Sequence, residues 1–252
     1  RMLEYSLKDE LKNRFGKEVQ IEVFRSAGRK AGEYFAKNML NLDVPLDQFV
    51  NELQKKMQEL ISQEELDRAF DARFPKEMQV KLRAAKVAVA GIGGLGSNIA
   101  VMLARSGVGH LLLVDFDVVD VTNLNRQMYF ISQLGKPKTE ALLETLYQIN
   151  PYLTYETVQT KVTPDNVKEL FGGYPILCEA FDKPDQKAML VRELLMQCPD
   201  ATVVSGNGMA GYADTNAIKT CQMMRRLYVC GDQSTDVGDG IGLIAPRVAA
   251  CA

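Results

Sequence analysis

The sequence predicts an α/β fold of the Rossmann type, in which a mainly parallel sheet is flanked by helices. Three observations predict it. Short apolar segments alternate with segments of helical periodicity from residue 86 onward. A glycine-rich turn follows the first apolar segment and opens a helix. Asp115 ends the second apolar segment, where such folds place an acid beside a nucleotide.

The composition is that of an ordinary globular protein, with 46% hydrophobic residues, 25% charged residues and a formal net charge of −2. This charge points neither to nucleic acid nor to a membrane surface, and no apolar run approaches the roughly 20 residues of a membrane helix. The five cysteines lack Cys-x-x-Cys spacing and a secretory signal, which predicts a cytoplasmic protein without structural zinc. Because His110 is the single histidine, the sequence argues against ordinary Ser-His-Asp or Cys-His hydrolase chemistry.

Residues 1–61 are predicted to be a mostly helical N-terminal segment. Helical apolar spacing covers Tyr5–Phe15, Gly28–Met39 and Pro45–Ile61, and a strand-like alternation covers Val19–Phe24. These residues hold no recognisable catalytic cluster. A cap, linker or oligomerisation element is favoured over a regulatory or ligand-binding module.

Residues 62–252 are predicted to form the nucleotide-binding domain. Ser62-Gln-Glu-Glu65 has the pattern of a capping box and predicts a helix that runs toward Phe74. The predicted strands are Lys86–Ala90, His110–Asp115, Tyr155–Thr160, Pro175–Glu179 and Ala201–Ser205. The predicted helices between and after them are Ser97–Ser106, Thr139–Ile149, Pro164–Phe171 and Pro184–Gln197.

The strongest motif is Gly91-Ile-Gly-Gly-Leu-Gly96, which lies between a predicted strand and a predicted helix. Its glycines allow a tight turn and close approach of backbone N–H groups to phosphate, which the helix N-terminus also attracts. Asp115 has the position of an acid that accepts hydrogen bonds from ribose hydroxyls. These features fit ATP and a nicotinamide dinucleotide equally well.

The motifs that follow distinguish these ligands by resemblance. After the glycine motif come Asp115-x-Asp117, Asn123-Leu-Asn-Arg-Gln127 and Gly135-x-Pro-Lys138. This series resembles the superfamily of ubiquitin-activating-type adenylyltransferases. The segments Val114–Asp120, Glu179–Asp182 and Ala245–Arg247 are most similar to the second subfamily of ThiF, which adenylates the sulfur carrier ThiS in thiamine synthesis. The resemblance covers roughly residues 62–252 and leaves out 1–61.

The resemblance implies an ATP and Mg²⁺ site. The implied ATP-binding residues are Gly91, Gly93, Gly94, Gly96, Asp115, Asp117, Asn123, Asn125, Arg126, Gln127, Lys138 and Asp182. Their chemistry suits this role, because Arg126 offers a planar fork and Lys138 a point charge for phosphate. Asp182 follows a predicted strand end, where a carboxylate can hold Mg²⁺.

The implied reaction joins the C-terminal Gly-Gly carboxylate of a ubiquitin-like sulfur carrier to AMP and releases pyrophosphate. No general base is needed, because the attacking carboxylate is already ionised; the enzyme aligns the reactants and offsets charge. Thiamine thiazole synthesis is the favoured pathway, while molybdopterin, cysteine or another sulfur product would use the same site.

Four residues depart from the family pattern or extend it. Relatives complete the site with an arginine from a partner subunit, so Arg73 in Phe70-Asp-Ala-Arg-Phe74 is predicted to act in trans within a homodimer. Cys230 is predicted to lie in a mobile Gly/Asp/Ser-rich loop, as a sulfur-handling cysteine or as an ordinary thiol. Cys178 is predicted to be a core residue, and Lys183 stands where the superfamily often has Asn.

Two other functions remain open. A nicotinamide-dependent oxidoreductase would use the same glycine loop but leaves Arg126 and Lys138 without a clear role. A non-catalytic nucleotide-binding module is the second alternative. The sequence begins with Arg1 and stops at Ala252, inside a segment that resembles the start of the closing helix of relatives, which suggests a piece of a longer chain.

Overall fold

The structure is a computed structural model that describes residues 13–14, 16–23, 25–26, 29–30, 62–235 and 242–252. The chain divides into two compact units, residues 1–67 and 68–252. Each unit is described by itself.

In the first unit the backbone is helical over residues 16–23, so the predicted strand at Val19–Phe24 is wrong. Alternation marks a strand where a sheet buries one face, but here Val19, Ile21 and Val23 remain 41%, 39% and 42% exposed. The residues between and before them are strong helix formers, Lys, Glu and Gln. The helices predicted over 5–15, 28–39 and 45–61 lie largely outside the described residues.

The capping box that was predicted at Ser62 is present. The Glu65 N–H donates to the Ser62 hydroxyl at 3.2 Å, and the Ser62 N–H donates to the Glu65 carboxylate at 3.4 Å. This reciprocal pair satisfies two donors at the start of the helix Gln63–Asp71, which we label α1.

The second unit is built on a seven-stranded sheet of order β3-β2-β1-β4-β5-β7-β6. The strands are β1 Lys86–Ala90, β2 His110–Asp115, β3 Thr154–Gln159, β4 Ile176–Glu179, β5 Thr202–Gly206, β6 Lys219–Met224 and β7 Leu227–Gly231. The remaining helices are α2 Lys76–Ala84, α3 Gly94–Arg105, α4 Lys138–Ile149, α5 Val167–Phe171, α6 Pro184–Gln197 and α7 Ala245–Cys251. Short 3₁₀ helices cover Val121–Asn123, Ile131–Gln133 and Thr215–Ala217.

The five predicted strands are confirmed and pair in parallel. The hairpin of β6 and β7 was not predicted; β7 pairs in parallel with β5 and antiparallel with β6. Every residue of β6 is exposed, so this edge strand lacks the apolar alternation that identifies a half-buried strand. The sheet is therefore mainly parallel with one antiparallel edge.

Both faces of the sheet are buried, which explains why the inner strands are apolar throughout. Along β1, Val87 and Val89 contribute to the cluster that includes residues of α3, α4 and α7. Ala88 and Ala90 contribute to the opposite cluster, with residues of α5 and α6. Each large apolar side chain buried in these layers contributes roughly 1.5–3 kcal/mol.

The start of α3 lies inside the glycine motif. The helix begins at Gly94, three residues before the predicted start at Ser97. Its N-cap, Gly93, offers no side-chain acceptor, so the first N–H groups of the helix stay available at the carboxyl edge of the sheet.

No helix in the described ranges combines the length and apolarity needed to cross a membrane.

Candidate nucleotide-binding site

The candidate site lies beside β1, at the point where the order of the strands across the sheet changes direction. Strand β1 pairs with β2 on one side and with β4 on the other. In open α/β sheets a ligand crevice forms at the carboxyl ends of the strands at this switch point. The glycine motif follows β1, Asp115 ends β2, and Asp182 follows β4. The predicted residues after these three strands thus lie at one edge of the sheet, where a ligand crevice is expected, and we call this edge the crevice.

The glycine loop is tightly closed and tolerates no side chains at two positions. Gly91 has φ +82°, and a Cβ there would lie 2.7 Å from Cδ1 of Phe181. A Cβ on Gly96 would lie 1.8 Å from the carbonyl oxygen of Gly91. These close approaches explain why the turn needs glycine, and they place the start of α3 directly against the end of β1.

Asp115 holds the loop in place. Its carboxylate accepts the N–H of Ile92 and the N–H of Asp117, both at 2.8 Å. Each carboxylate oxygen of Asp115 keeps a second lone pair. Asp115 can therefore accept the predicted hydrogen bond from ribose while it holds the two backbone N–H groups. Tyr129 donates its hydroxyl to the Ile92 carbonyl at 2.7 Å. Burial, followed by the charges of Asp115 and Asp117, raises the pKa of Tyr129 far above its ordinary value, so the hydroxyl keeps its proton.

Lys138 and Asp117 form an ion pair at the edge of the crevice. The Lys138 ammonium lies 2.9 Å from Oδ2 of Asp117, and the two side chains are 7% and 49% exposed. The backbone N–H of Lys138 also donates to the backbone carbonyl of Asp117 at 2.9 Å. An ammonium has three N–H groups, and this pair uses one, which leaves donor capacity for a phosphate.

Arg126 and Gln127 each have a buried polar atom that the described residues do not satisfy. Within the described residues, Nε of Arg126 and Oε1 of Gln127 are buried and have no hydrogen-bond partner. The Arg126 side chain lies beside Gly94, where a Cβ would be 3.5 Å from Nε, and Nε2 of Gln127 would lie 3.8 Å from a Cβ on Gly93. Unpaired buried polar atoms cost roughly 1–3 kcal/mol each. This donor and this acceptor beside the glycine loop therefore suit a polar ligand there.

Asparagine side chains fix the segment that carries Arg126. Asn98 on α3 donates to the carbonyls of Gly94 at 2.7 Å and Arg126 at 3.0 Å, which joins helix and segment. Asn125 accepts from Nη1 of Arg126 at 2.8 Å. Asn123 accepts the Asp120 N–H at 3.0 Å within a local capping box. The ATP contacts predicted for Asn123 and Asn125 stay predictions, while their local bonds shape the segment.

Asp182 is exposed in the short turn between β4 and α6, and Lys183 beside it occupies the N-cap position of that helix without a side-chain capping bond. In the part of the chain that the structure describes, no group of three or more His, Cys, Asp or Glu side chains forms a metal cluster. Mg²⁺ commonly binds through one or two carboxylates together with substrate phosphates and water. The donor set at this crevice therefore fits a metal that arrives with a nucleotide.

Two predicted residues form no described side-chain hydrogen bond or ion pair with this constellation. Arg73 is exposed in the turn after α1, and no described contact joins it to the crevice. Cys230 lies in β7 and is 7% exposed, so its predicted placement in a mobile loop is wrong. The segment Leu227–Gly231 pairs with strands on both sides, which fixes it despite the Gly/Asp/Ser residues that follow. Cys178 lies buried in β4, as predicted for a core residue.

Sequence reasoning missed several polar residues that shape the site. They are Asn98, Tyr129, Glu179, Lys187 and Ser205. No short motif marks such residues, because most of their hydrogen-bond partners lie in other segments of the chain. A buried acid at the end of an apolar strand, as at Glu179, is the one signal in the sequence that points to a partner.

Comparison with known proteins gives consistent results. Residues 66–235 match the ThiF family. The adenylyltransferase and sulfurtransferase uba4 of Aspergillus terreus is 40% identical over 113 residues, which are 44% of this chain and 23% of that protein. The tRNA threonylcarbamoyladenosine dehydratase of Haemophilus influenzae is 34% identical over 156 residues, which are 61% of this chain and 59% of that protein. This chain thus spans less than two thirds of the length of both relatives.

A solved structure shares the fold and contains a nucleotide. The E. coli tRNA N6-threonylcarbamoyladenosine dehydratase TcdA in complex with ATP superposes with a TM-score of 0.68 at 27% identity, covering 76% of this chain and 91% of that chain. The family match, which takes in more than half of the chain, agrees with this shared architecture and with the motifs at the crevice. The chain belongs to the ThiF family.

Proposed function

We propose that this chain is an ATP-dependent adenylyltransferase that activates the C-terminal glycine carboxylate of a ubiquitin-like sulfur carrier. One observation carries the proposal. Two buried polar atoms beside the glycine loop, Nε of Arg126 and Oε1 of Gln127, have no hydrogen-bond partner among the described residues. The ATP complex of the related TcdA supports ATP over a dinucleotide as the ligand. The carrier is proposed to be ThiS-like and to serve thiamine thiazole synthesis, on the sequence resemblance alone.

The reaction needs alignment and charge compensation more than proton transfer. One oxygen of the carrier carboxylate attacks the α-phosphorus, and the bond from that phosphorus to the bridging oxygen of the β-phosphate breaks. The pyrophosphate that leaves takes up negative charge. Arg126 and Lys138 supply positive charge, and the free N–H groups at the start of α3 supply oriented dipoles.

Mg²⁺ would be held by Asp182 together with phosphate oxygens, and it would offset charge on the phosphates. Asp117 contributes indirectly, because its ion pair keeps the Lys138 ammonium at the crevice edge. Arg73 is proposed to reach the site of the other subunit in a homodimer. Cys230 remains a candidate for a later sulfur-handling step, although its burial in β7 requires the strand end to open first.

The test is exchange of labelled pyrophosphate into ATP, with Mg²⁺ and a carrier that ends in Gly-Gly. We expect exchange that depends on the carrier and falls about a hundredfold in Arg126→Ala and Asp182→Ala. The matched controls are Arg192→Ala, at an exposed position on α6, and Asp200→Ala, at an exposed position before β5, on the opposite edge of the sheet from the crevice. Both controls should keep full exchange.

Other outcomes separate the competing functions. ATP binding without exchange for any carrier would favour a non-catalytic nucleotide-binding module. Preferential binding of NAD would overturn adenylation and favour an oxidoreductase. Exchange with a carrier of molybdopterin synthesis but none with a ThiS-like carrier would keep the reaction and change the pathway.

A further inference from the structure

A buried ion pair lies directly behind the turn that carries Asp182. The Glu179 side chain, at the end of β4, is 0% exposed, and the Lys187 side chain on α6 is 19% exposed. The Lys187 ammonium lies 2.8 Å from Oε2 and 3.1 Å from Oε1 of Glu179. Ser205, opposite Glu179 in the β4–β5 register, donates its hydroxyl to Oε2 at 2.5 Å.

This ion pair holds both peptide groups of Phe181. The Phe181 N–H donates to Oε1 of Glu179 at 2.7 Å, and the Phe181 carbonyl accepts from the Lys187 ammonium at 3.0 Å. The preceding residue is tied to the sheet, because the Ala180 N–H donates to the Ala90 carbonyl at 2.9 Å. The backbone immediately before Asp182 is therefore fixed by charged side chains as well as by the sheet.

Lys187 is fully committed to this arrangement. Its ammonium has three N–H groups, and its contacts are the two Glu179 oxygens and the Phe181 carbonyl. A direct contact of Lys187 with phosphate would require it to abandon the buried carboxylate, which is costly. Lys138, by contrast, has one described partner and keeps donors to spare.

We propose that the Glu179–Lys187 ion pair is a positioning unit that fixes the Asp182 carboxylate for the metal–nucleotide complex. The inference rests on the proposed function, since it assigns Asp182 to Mg²⁺. Asp182 itself is exposed and lies in a turn, so its side chain needs a rigid backbone to present a ligand at a defined place. A displacement of about 1 Å is enough to impair such a site.

The test compares ATP affinity with Mg²⁺ and with EDTA by calorimetric titration, without carrier, so that no turnover is needed. The variant is Glu179→Gln combined with Lys187→Met. Removing both charges avoids an unpaired buried charge, and such neutral replacements of a buried pair are usually tolerated. The glutamine oxygen can still accept the Phe181 N–H, whereas methionine donates nothing to the Phe181 carbonyl.

In the wild type we expect Mg²⁺ to tighten ATP binding, on the order of tenfold. The double variant should lose most of that tightening, while its affinity in EDTA stays within about twofold and its thermal unfolding remains cooperative. The matched control, Arg192→Met with Glu193→Gln, removes the neighbouring ion pair on the same helix and should keep the full effect of Mg²⁺.

Two results would overturn the positioning role of the ion pair, and a further variant separates its failure from failure of the metal role of Asp182. Full Mg²⁺ tightening in the double variant would overturn the positioning role. Equal weakening with Mg²⁺ and with EDTA would also overturn it, because it would show a general structural role. Asp182→Ala separates the failures: if that variant keeps the tightening, the proposed metal role of Asp182 is wrong, and this inference falls with it. If Asp182→Ala loses the tightening and the double variant keeps it, the positioning inference alone is wrong.

Discussion

At the scale of single residues, the crevice contains polar atoms that the protein by itself does not satisfy. Nε of Arg126 and Oε1 of Gln127 are buried without partners in the described structure. Buried polar atoms without hydrogen-bond partners destabilise a protein, and proteins retain them mainly where function requires them. The free protein is therefore expected to be less stable than its composition allows, and ATP is expected to restore the difference.

Gln127→Met tests this trade between stability and binding. Because it removes an unpaired buried acceptor with little change in volume, we expect the free energy of unfolding to stay equal or to rise by up to about 1 kcal/mol. ATP binding should weaken about tenfold, since a hydrogen-bonding partner of the ligand is lost. Urea unfolding without nucleotide and calorimetric titration with ATP measure the two effects. A loss of more than about 2 kcal/mol in stability with unchanged ATP affinity would show that Gln127 is structural.

At the scale of elements, the glycine loop joins β1, α3 and the turn after β4. Its geometry depends on contacts between backbones that no sequence motif describes in detail. The motif predicted the turn and the helix, yet the start of α3 at Gly94 and the contact of Gly91 with Phe181 come from the packed structure. Periodicity locates elements well and their ends poorly, because the ends depend on caps and on tertiary contacts.

Gly96→Ala tests the closeness of this junction. A Cβ at Gly96 would lie 1.8 Å from the Gly91 carbonyl oxygen, so the loop must move away from α3. We expect a loss of at least about 2 kcal/mol in the free energy of unfolding and loss of ATP binding. Gly173→Ala is the control, because a Cβ there meets nothing within 4 Å. If Gly96→Ala retains wild-type affinity for ATP, the tight loop is dispensable for the site.

A buried arginine on α7 connects this helix to two other parts of the sheet domain. Arg247 is fully buried and forms an ion pair with Asp232, which follows β7. Its other N–H groups donate to the carbonyls of Met209, Ala213 and Asp214. Burial raises the pKa of Asp232, but hydrogen bonds from Ser234 and Thr235 and the Arg247 charge outweigh it, and the net pKa lies well below its ordinary value. The ion pair thus links α7 to the residue that follows β7. The hydrogen bonds from Arg247 to the three carbonyls link α7 to the segment after β5.

Asp232→Asn should destabilise the protein by about 3–5 kcal/mol at pH 7, because Arg247 is left buried without a counter-charge. The folded pKa of Asp232 is depressed, so the ionised form contributes fully above the unfolded pKa of about 3.9. That contribution is lost as the pH falls through the lower folded pKa. The stability difference between wild type and variant should therefore be constant from pH 7 to about pH 5 and shrink below about pH 4. Urea unfolding over that range measures it, and a gap that widens in acid would contradict the assigned ion pair.

At the scale of the whole molecule, the sequence predicted the fold class and the five parallel strands, and the structure confirms both. The ATP-binding roles of the predicted site residues stay predictions. The hairpin of β6 and β7 escaped prediction because β6 is exposed at every position. The burial of Cys230 escaped it because the glycine and polar residues after the strand suggested a loop, whereas pairing on two sides fixes the strand. The Glu179–Lys187 ion pair escaped it because its partners meet only in three dimensions. Local patterns identify elements and motifs, while long-range polar contacts need the fold.

Subunit cooperation is also a question at this scale. If Arg73 acts in the site of a partner, Arg73→Ala and Asp182→Ala should each be inactive alone, because each destroys every site of its homodimer. Subunit exchange between the two variants should restore about a quarter of wild-type pyrophosphate exchange, since about half of the dimers then carry one complete site. Sedimentation of the mixture checks that dimers are present. No recovery in mixed dimers would show that Arg73 does not act in trans.

The central claim is that the crevice transfers the adenylyl group of ATP to a carrier carboxylate. Its most direct test follows the label from ATP labelled at the α-phosphorus and, separately, at the γ-phosphorus into an acid-quenched Gly-Gly carrier. Adenylation predicts that the α-label and no γ-label becomes attached to the carrier, and that Arg126→Ala lowers the transfer about a hundredfold. Transfer of the γ-label, or attachment of neither label while pyrophosphate is absent from the products, would contradict it.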